Sequence, residues 1–340
     1  MEPKERSKKD ILWAVALIAA PVILGIASIG IGRYAIGARD IIECLFAPLF
    51  PNAQVSEVTT RVIFNIRLPR VLLALVAGAG LAVAGASFQS IFSNPLATPD
   101  TLGVASGASF GAAAAIMLGY KMLYVQLWAV FFGVAAVMVA VVFTSGPKGR
   151  GGTIMLILAG MVVGALFSAL LSVVKYVADP QDALPGITFW LMGSLTGTTF
   201  SRLALGAPLI ITGTLALYAI RWRLNVMSLP ENEARAIGVN VKLVRIIVIA
   251  ASTVITAAVI ATCGQIGWIG LLVPHIARMI FGSNNKRVIP ACIGLGAVFL
   301  LVTDTVARSV IPSEIPVSIL TAIIGAPIFI VLLRKTGGVK

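Results

Sequence analysis

Asp304 and Arg308 stand one helical turn apart inside an otherwise apolar run. A carboxylate at that depth either carries a proton or cation through a membrane or neutralises a neighbouring cation, and the i,i+4 spacing favours a pair with Arg308. Arg67 and Arg70, three residues apart at the head of another apolar run, share one face if helical. Such a pair either snorkels to a membrane interface or meets an acidic partner. His275 is the single histidine, and a lone histidine near a helix end caps or packs, because a metal site needs several clustered ligands. With 13 Asp and Glu in 340 residues, mostly between the apolar runs, no convergent set for acid–base or nucleophilic catalysis forms. No catalytic residue and no metal ligand are therefore assigned. The Gly-rich segment 145–153 with Lys148 lacks the G-x-x-x-x-G-K-S/T order of a phosphate cradle. Cys44, Cys263 and Cys292 have no C-x-x-C spacing and suit apolar packing.

The elements that must position these residues are membrane helices. Hydrophobic residues make up 59% of the chain and charged residues 11%, with a mean hydropathy of +1.01; globular domains carry about a quarter charged residues. Apolar runs at 11–31, 71–92, 102–119, 123–143, 154–174, 203–220, 244–263, 266–281, 288–306 and 315–333 predict an all-α integral membrane protein of about ten transmembrane helices. The run 266–281 is short enough to predict a short or broken helix. Lys4, Arg6, Lys8 and Lys9 precede the first run, which lacks a small-residue cleavage site and is retained as a helix. Placing both termini in the cytoplasm puts most Lys and Arg there, including Lys148, Arg150, Arg221, Arg223, Arg235 and Lys242. The net charge of +13 is thus a topology signal, and no basic soluble face exists for nucleic acid.

Two segments between the spans, and a few polar positions in or beside them, are candidates for function. Pro95 removes a backbone donor and biases Asn94 away from helical geometry, so the chain here cannot be lipid-facing helix and is read as a pore-side turn. Within the cytoplasmic segment 221–243, Ser228 to Val239 reads as a short helix: Pro230 suits a first turn, Glu231 and Glu233 complement the positive helix end, and Gly238 is a stop. Helices this short are marginal alone. Gln89, Asn94, Thr153 and Ser168 are polar positions in or beside spans, which either pair or line a pore. The Gly-rich faces at Gly78, Gly80, Gly85 and at Gly103, Gly107, Gly111 are read mainly as helix-packing surfaces.

Four strings resemble, in order, the motif blocks of the FecCD/BtuC family, the permease subunits of ABC importers for iron siderophores, haem and cobalamin. They are Arg67-Leu68-Pro69-Arg70 with Gln89, Asn94-Pro95-Leu96-Ala97 and Leu102-Gly103; Trp190-Leu191-Met192-Gly193-Ser194-Leu195; Gly267-Trp268-Ile269-Gly270-Leu271 with Pro274-His275 and Arg278; and Glu314-Ile315-Pro316-Val317. The likeness runs from roughly residue 60 to the C-terminus. Pro230 and Ser318 depart from it, each standing where the family usually has Gly.

The resemblance implies a BtuC-like type II ABC importer permease, a single transmembrane domain over 1–340 with residues 1–10 as a cytoplasmic basic N-terminus. It implies a homodimer in membrane lipid, two ATP-binding cassette ATPase subunits, and a periplasmic or lipid-anchored binding protein. The location is the cytoplasmic membrane of a bacterium or archaeon. No cofactor is implied on this chain, and ATP and Mg belong to the partner subunit. By the same resemblance Arg67, Arg70 and Arg308 face the binding protein. Pro230, Glu231, Glu233, Ala234, Arg235 and Gly238 form the coupling helix that docks on the ATPase. Gln89, Asn94, Leu96, Gly152, Thr153 and Ser168 line the translocation path or its cytoplasmic gate. The cargo implied is a chelated metal, an iron siderophore or haem first, a corrinoid second and a molybdate-type oxyanion third. The alternatives from other classes are an ion-coupled secondary transporter and a channel.

Overall fold

The structure is a computed structural model that describes residues 3–32, 34–46, 55–144, 153–229 and 231–336. Among them every regular element is helical. The order is α1 (Pro3–Gly30), α2 (Ala38–Leu45), α3 (Glu57–Arg61) running through a π-helical turn (Val62–Arg67) into α4 (Leu68–Ile91), a 3-10 turn (Pro99–Leu102), α5 (Val104–Met117), α6 (Met122–Thr144), α7 (Thr153–Val177) and α8 (Ala183–Leu191). Then come α9 (Phe200–Ala219), α10 (Arg223–Val226), α11 (Glu231–Ala236), α12 (Val241–Cys263), α13 (Ile269–Phe281), α14 (Asn285–Val310) and α15 (Val317–Thr336).

Each apolar run coincides with one of these helices. Among the described residues seven helices are long and apolar enough to cross a membrane, and the remaining three runs give shorter apolar helices at Val104–Met117, Ile269–Phe281 and Val317–Val331. The run at 266–281 yields a 13-residue helix, α13. Before it, Gly264 at φ 70 and Trp268 at φ 72 turn the chain out of helical geometry.

Helix α4 is the centre of the bundle, buried along most of its length and packed against α14, α12, α9 and α13. Its sequence is apolar on all faces and rich in Gly and Ala, so neighbouring backbones approach closely. A Cβ on Gly78 would overlap the carbonyl of Gly296 on α14, and one on Gly80 would meet Ile210 and Ile255 of α9 and α12. On α5, Gly107 and Gly111 face the carbonyls of Phe132 and Trp128 on α6 in the same way. These glycines are packing surfaces.

Two prolines give further close approaches a chemical reason. A helical proline leaves the carbonyl four residues earlier without its usual donor, and in an apolar medium that oxygen needs cover. Pro21 frees the carbonyl of Leu17, which lies against Gly294 of α14; Pro274 frees that of Gly270, which lies against Gly85 of α4. Glycine lets the freed oxygen sit against a neighbouring backbone.

Cys44, Cys263 and Cys292 are free and buried. The outer layers are different: α1 and α7 bury little of their apolar surface, and Ile154, Val162, Leu166, Val173 and Tyr176 of α7 are exposed.

Candidate functional site: two polar ends of the bundle

The first polar end gathers the start of α4, the ends of α1 and α14, and the connections before α9 and α15. The π-helical turn ends at Arg67, so Arg67 and Arg70 reach different partners despite their spacing of three. Arg67 donates to the carbonyls of Ile29, in the last turn of α1, and of Tyr34, just beyond it. Arg70 donates through Nε and Nη2 to Asp304 at 2.9–3.1 Å, and through Nη1 to Glu314 Oε2 at 3.0 Å. Arg308 donates to the carbonyl and hydroxyl of Ser28 on α1. Glu314 also accepts from Thr196 Oγ1 at 2.6 Å.

Asp304 is held most closely by Arg70 from across the bundle, and its i,i+4 ion pair with Arg308 is present but longer, with Nε at 3.9 Å. A fully buried carboxylate takes the guanidinium that reaches it with two parallel bonds, because that geometry satisfies both oxygens. The three arginines are not an open rim. Arg67, Arg70 and Arg308 are 5%, 6% and 6% exposed, folded inward onto carbonyls and carboxylates that compensate their desolvation.

The backbone around this cluster is knitted by the other family-like strings. Ser194 N donates to the Cys263 carbonyl at 2.7 Å, and Val317 N donates to the Gly193 carbonyl at 3.0 Å. The Ser318 hydroxyl donates to the Met192 carbonyl. Gly193 at φ 66 and Gly264 at φ 70 are in contact, the first against the Gln265 carbonyl and the second against that of Trp190. Ser318 thus uses its hydroxyl where a glycine offers none.

At the opposite end the α4–α5 connection meets α10, α13 and the start of α14. Gln89 is 3% exposed, donates to the freed Gly270 carbonyl at 3.3 Å and accepts from Arg278. Asn94 closes its turn by accepting from Leu96 N at 2.9 Å, while Leu96 itself is exposed. Asn225 ties α10 to α14: its amide donates to Asn284 Oδ1 at 2.9 Å and its carbonyl oxygen accepts from Asn285 N at 2.7 Å. Ser90 Oγ donates to Asn285 Oδ1 at 3.2 Å and completes the link to α4. A cavity of about 630 Å³ opens among Gln89, Asn94, Asn225, His275 and Arg278. The ring of His275 packs edge-on to Phe329 of α15.

A second cavity, about 340 Å³, is lined by Asn94, Ile154, Ile157, Met227 and Ala234. It sets the Asn94-Pro95 break beside the first turns of α7. Gly152 and Pro230 lie outside the described residues, as does most of the 145–153 loop, and the side chains of Thr153 and Glu231 are likewise not described. Ser168, exposed on α7, donates to Ser106 of α5 at 3.1 Å.

Helix α11 forms where the sequence predicts a short helix, and Gly238 at φ 84 ends it. Ala234 points inward, at 1% exposure, while Glu233 and Arg235 are exposed and Ile237 is 61% exposed. Within the helix that the resemblance assigns to coupling, Ala234 lies on the underside that packs on the bundle. Sequence reasoning did not anticipate Thr196, the Arg70 contact of Glu314 or the Asn225–Asn284–Asn285 link as parts of these polar ends. Glu314 stands in a family-like string that could have flagged it, whereas nothing local pairs Asn225 with α14.

A family model for the FecCD transport family matches residues 20–335. The chain is 40% identical over 98% of both chains to the molybdate import system permease protein MolB of Haemophilus influenzae. It is 35% identical over 94% of both chains to the hemin transport system permease protein HmuU of Yersinia pestis. A solved structure of a chain assigned to the metal-chelate type of ABC transporter, in an inward-facing conformation, superposes with a TM-score of 0.85. It has 39% identity and covers 95% of this chain and 98% of that one.

Proposed function

The chain belongs to the FecCD transport family of membrane permeases, and from that premise we propose that it is the transmembrane subunit of an ATP-driven importer working as a homodimer. Two ATPase subunits bind the end that carries α10 and α11, and hydrolysis of ATP with Mg takes place on them. A binding protein delivers cargo to the Arg70–Asp304 end. The ten apolar helices each traverse or enter the membrane, with both termini in the cytoplasm. The cargo is a metal chelate, an iron siderophore or haem before a corrinoid; the similarity to a molybdate permease keeps an oxyanion beside them.

The observation that carries this reading is the state of Asp304. It is the one carboxylate well inside a described span, and an ion-coupled carrier needs such a group free to exchange protons or cations. Asp304 is fully buried and bound by Arg70 through two nitrogens. That arrangement supports a structural carboxylate and an external energy source. The exposed face of α11, with Glu233, Arg235 and Ile237, supplies the surface through which another subunit can push. Nucleotide binding on the ATPase subunits would switch the dimer between two packed states of different access.

Copurification and reconstitution test the proposal. ATP hydrolysis by the assembled complex should rise when the binding protein is added, and uptake should follow it. Uptake driven by a proton or sodium gradient without ATP would favour the ion-coupled reading instead.

A further inference from the structure

Arg70 holds two carboxylates of different standing. Asp304 takes Nε and Nη2 and is 0% exposed, walled in by α4 and α14. Glu314 accepts from Nη1 at 3.0 Å with its side chain 25% exposed, and it also accepts from the exposed Thr196 at 2.6 Å. Glu314 also sits at φ 53, a left-handed conformation that a non-glycine residue holds only when its surroundings impose it. Three residues on, α15 begins, pinned to the 192–193 backbone by Val317 and Ser318. Glu314 is therefore the more exposed ligand of Arg70, and it stands in the connector that leads into α15.

Arg308 Nε is buried without a hydrogen-bond partner, so guanidinium donor capacity remains beside Asp304. An acidic side chain approaching this end from outside meets Glu314 first, since the arginines lie beneath the surface. Replacing one carboxylate by another on Arg70 leaves the guanidinium paired throughout, whereas breaking the pair would strand a buried charge.

We propose that Glu314 occupies the place on Arg70 that a carboxylate of the docking partner takes, and that this exchange releases the connector into α15. Glu314 is a positioning residue: it sets specificity for an acidic partner by competing with it, and it couples docking to movement of α15. The coupling is thermodynamic, because the partner's carboxylate contacts Arg70 only in the state where Glu314 has left. The inference rests on the proposed role of this end as the binding-protein face.

The test uses the assembled permease–ATPase complex in lipid nanodiscs with its intact binding protein. Glu314→Gln keeps the size and the Thr196 contact but removes the competing charge. Affinity for the binding protein should rise about two- to fivefold, the range of one partly exposed ion pair. ATP hydrolysis without binding protein should rise toward the stimulated level. Thr196→Val, which leaves every charge in place, should shift both readouts in the same direction by less, and it decides the matter if Glu314→Gln does not assemble. Unchanged or weaker affinity with unchanged basal hydrolysis overturns the exchange. Wild-type complex that neither binds the protein nor is stimulated by it overturns the underlying reading as well, so the two failures are distinct.

Discussion

Gly85 on α4 lies against the carbonyl of Gly270 on α13, and the same oxygen accepts from Gln89 one turn along α4 at 3.3 Å. Pro274 deprives that carbonyl of its i+4 donor, so α4 supplies both the space and the missing hydrogen bond. This contact seats α13 against the central helix, and α13 in turn presents His275 and Arg278 to the larger cavity.

Gly85→Val should therefore push α13 off α4 and abolish recovery of monodisperse protein, while Gln89→Leu should fold but lose about 1–3 kcal/mol of stability from the unsatisfied carbonyl and guanidinium. Gly267→Ala, at a position with open space around it, is the control and should behave as wild type. Detergent-solubilised yield and thermal unfolding measure all three. A well-folded Gly85→Val protein would refute the contact.

Asp304→Asn should cost about 3–5 kcal/mol, since it strands Arg70 as a buried cation with only Glu314 beside it. Combining it with Arg70→Met should recover part of that loss. A double-mutant cycle on unfolding in detergent reads the coupling, and additive single effects would show that the pair does not interact.

Ile237→Arg and Glu233→Lys should fold normally and weaken association with the ATPase subunit, because both side chains are exposed on or beside α11. Ala234→Arg should instead reduce the amount of folded permease, because that methyl is buried under the helix. Copurification against total membrane-inserted protein separates the two effects. Normal folding of Ala234→Arg would return that residue to the docking surface.

Cysteines placed at Asn94 and Leu96, in a background lacking Cys44, Cys263 and Cys292, should crosslink between protomers in one nucleotide state and not the other. The break lies beside the first turns of α7, whose exposed apolar face is available to a second copy. Crosslinking indifferent to nucleotide would assign these residues to static packing.

Much of the architecture was legible before any coordinates. Apolar runs locate helices because a membrane or a bundle core demands unbroken backbone pairing and apolar side chains over a set length. The positions of Pro95, Gly238 and the Gly-rich faces report local backbone chemistry, and each behaves as its residue type dictates. The short helix at α11 was equally visible, but which of its faces is buried was not, since six residues give too little periodicity to orient it.

By itself the sequence determined the helical segments, their basic ends and the family to which the chain belongs, because these depend on composition, short-range backbone rules and ordered motifs. Only the tertiary structure decided that Arg70 binds Asp304 from 234 positions away with two bonds, while Arg308 keeps a longer ion pair to it and turns its hydrogen bonds to the end of α1. Helical spacing ranks neighbours on one helix, whereas in a packed interior a buried carboxylate pairs with whichever cation the crossing helices bring within bidentate reach.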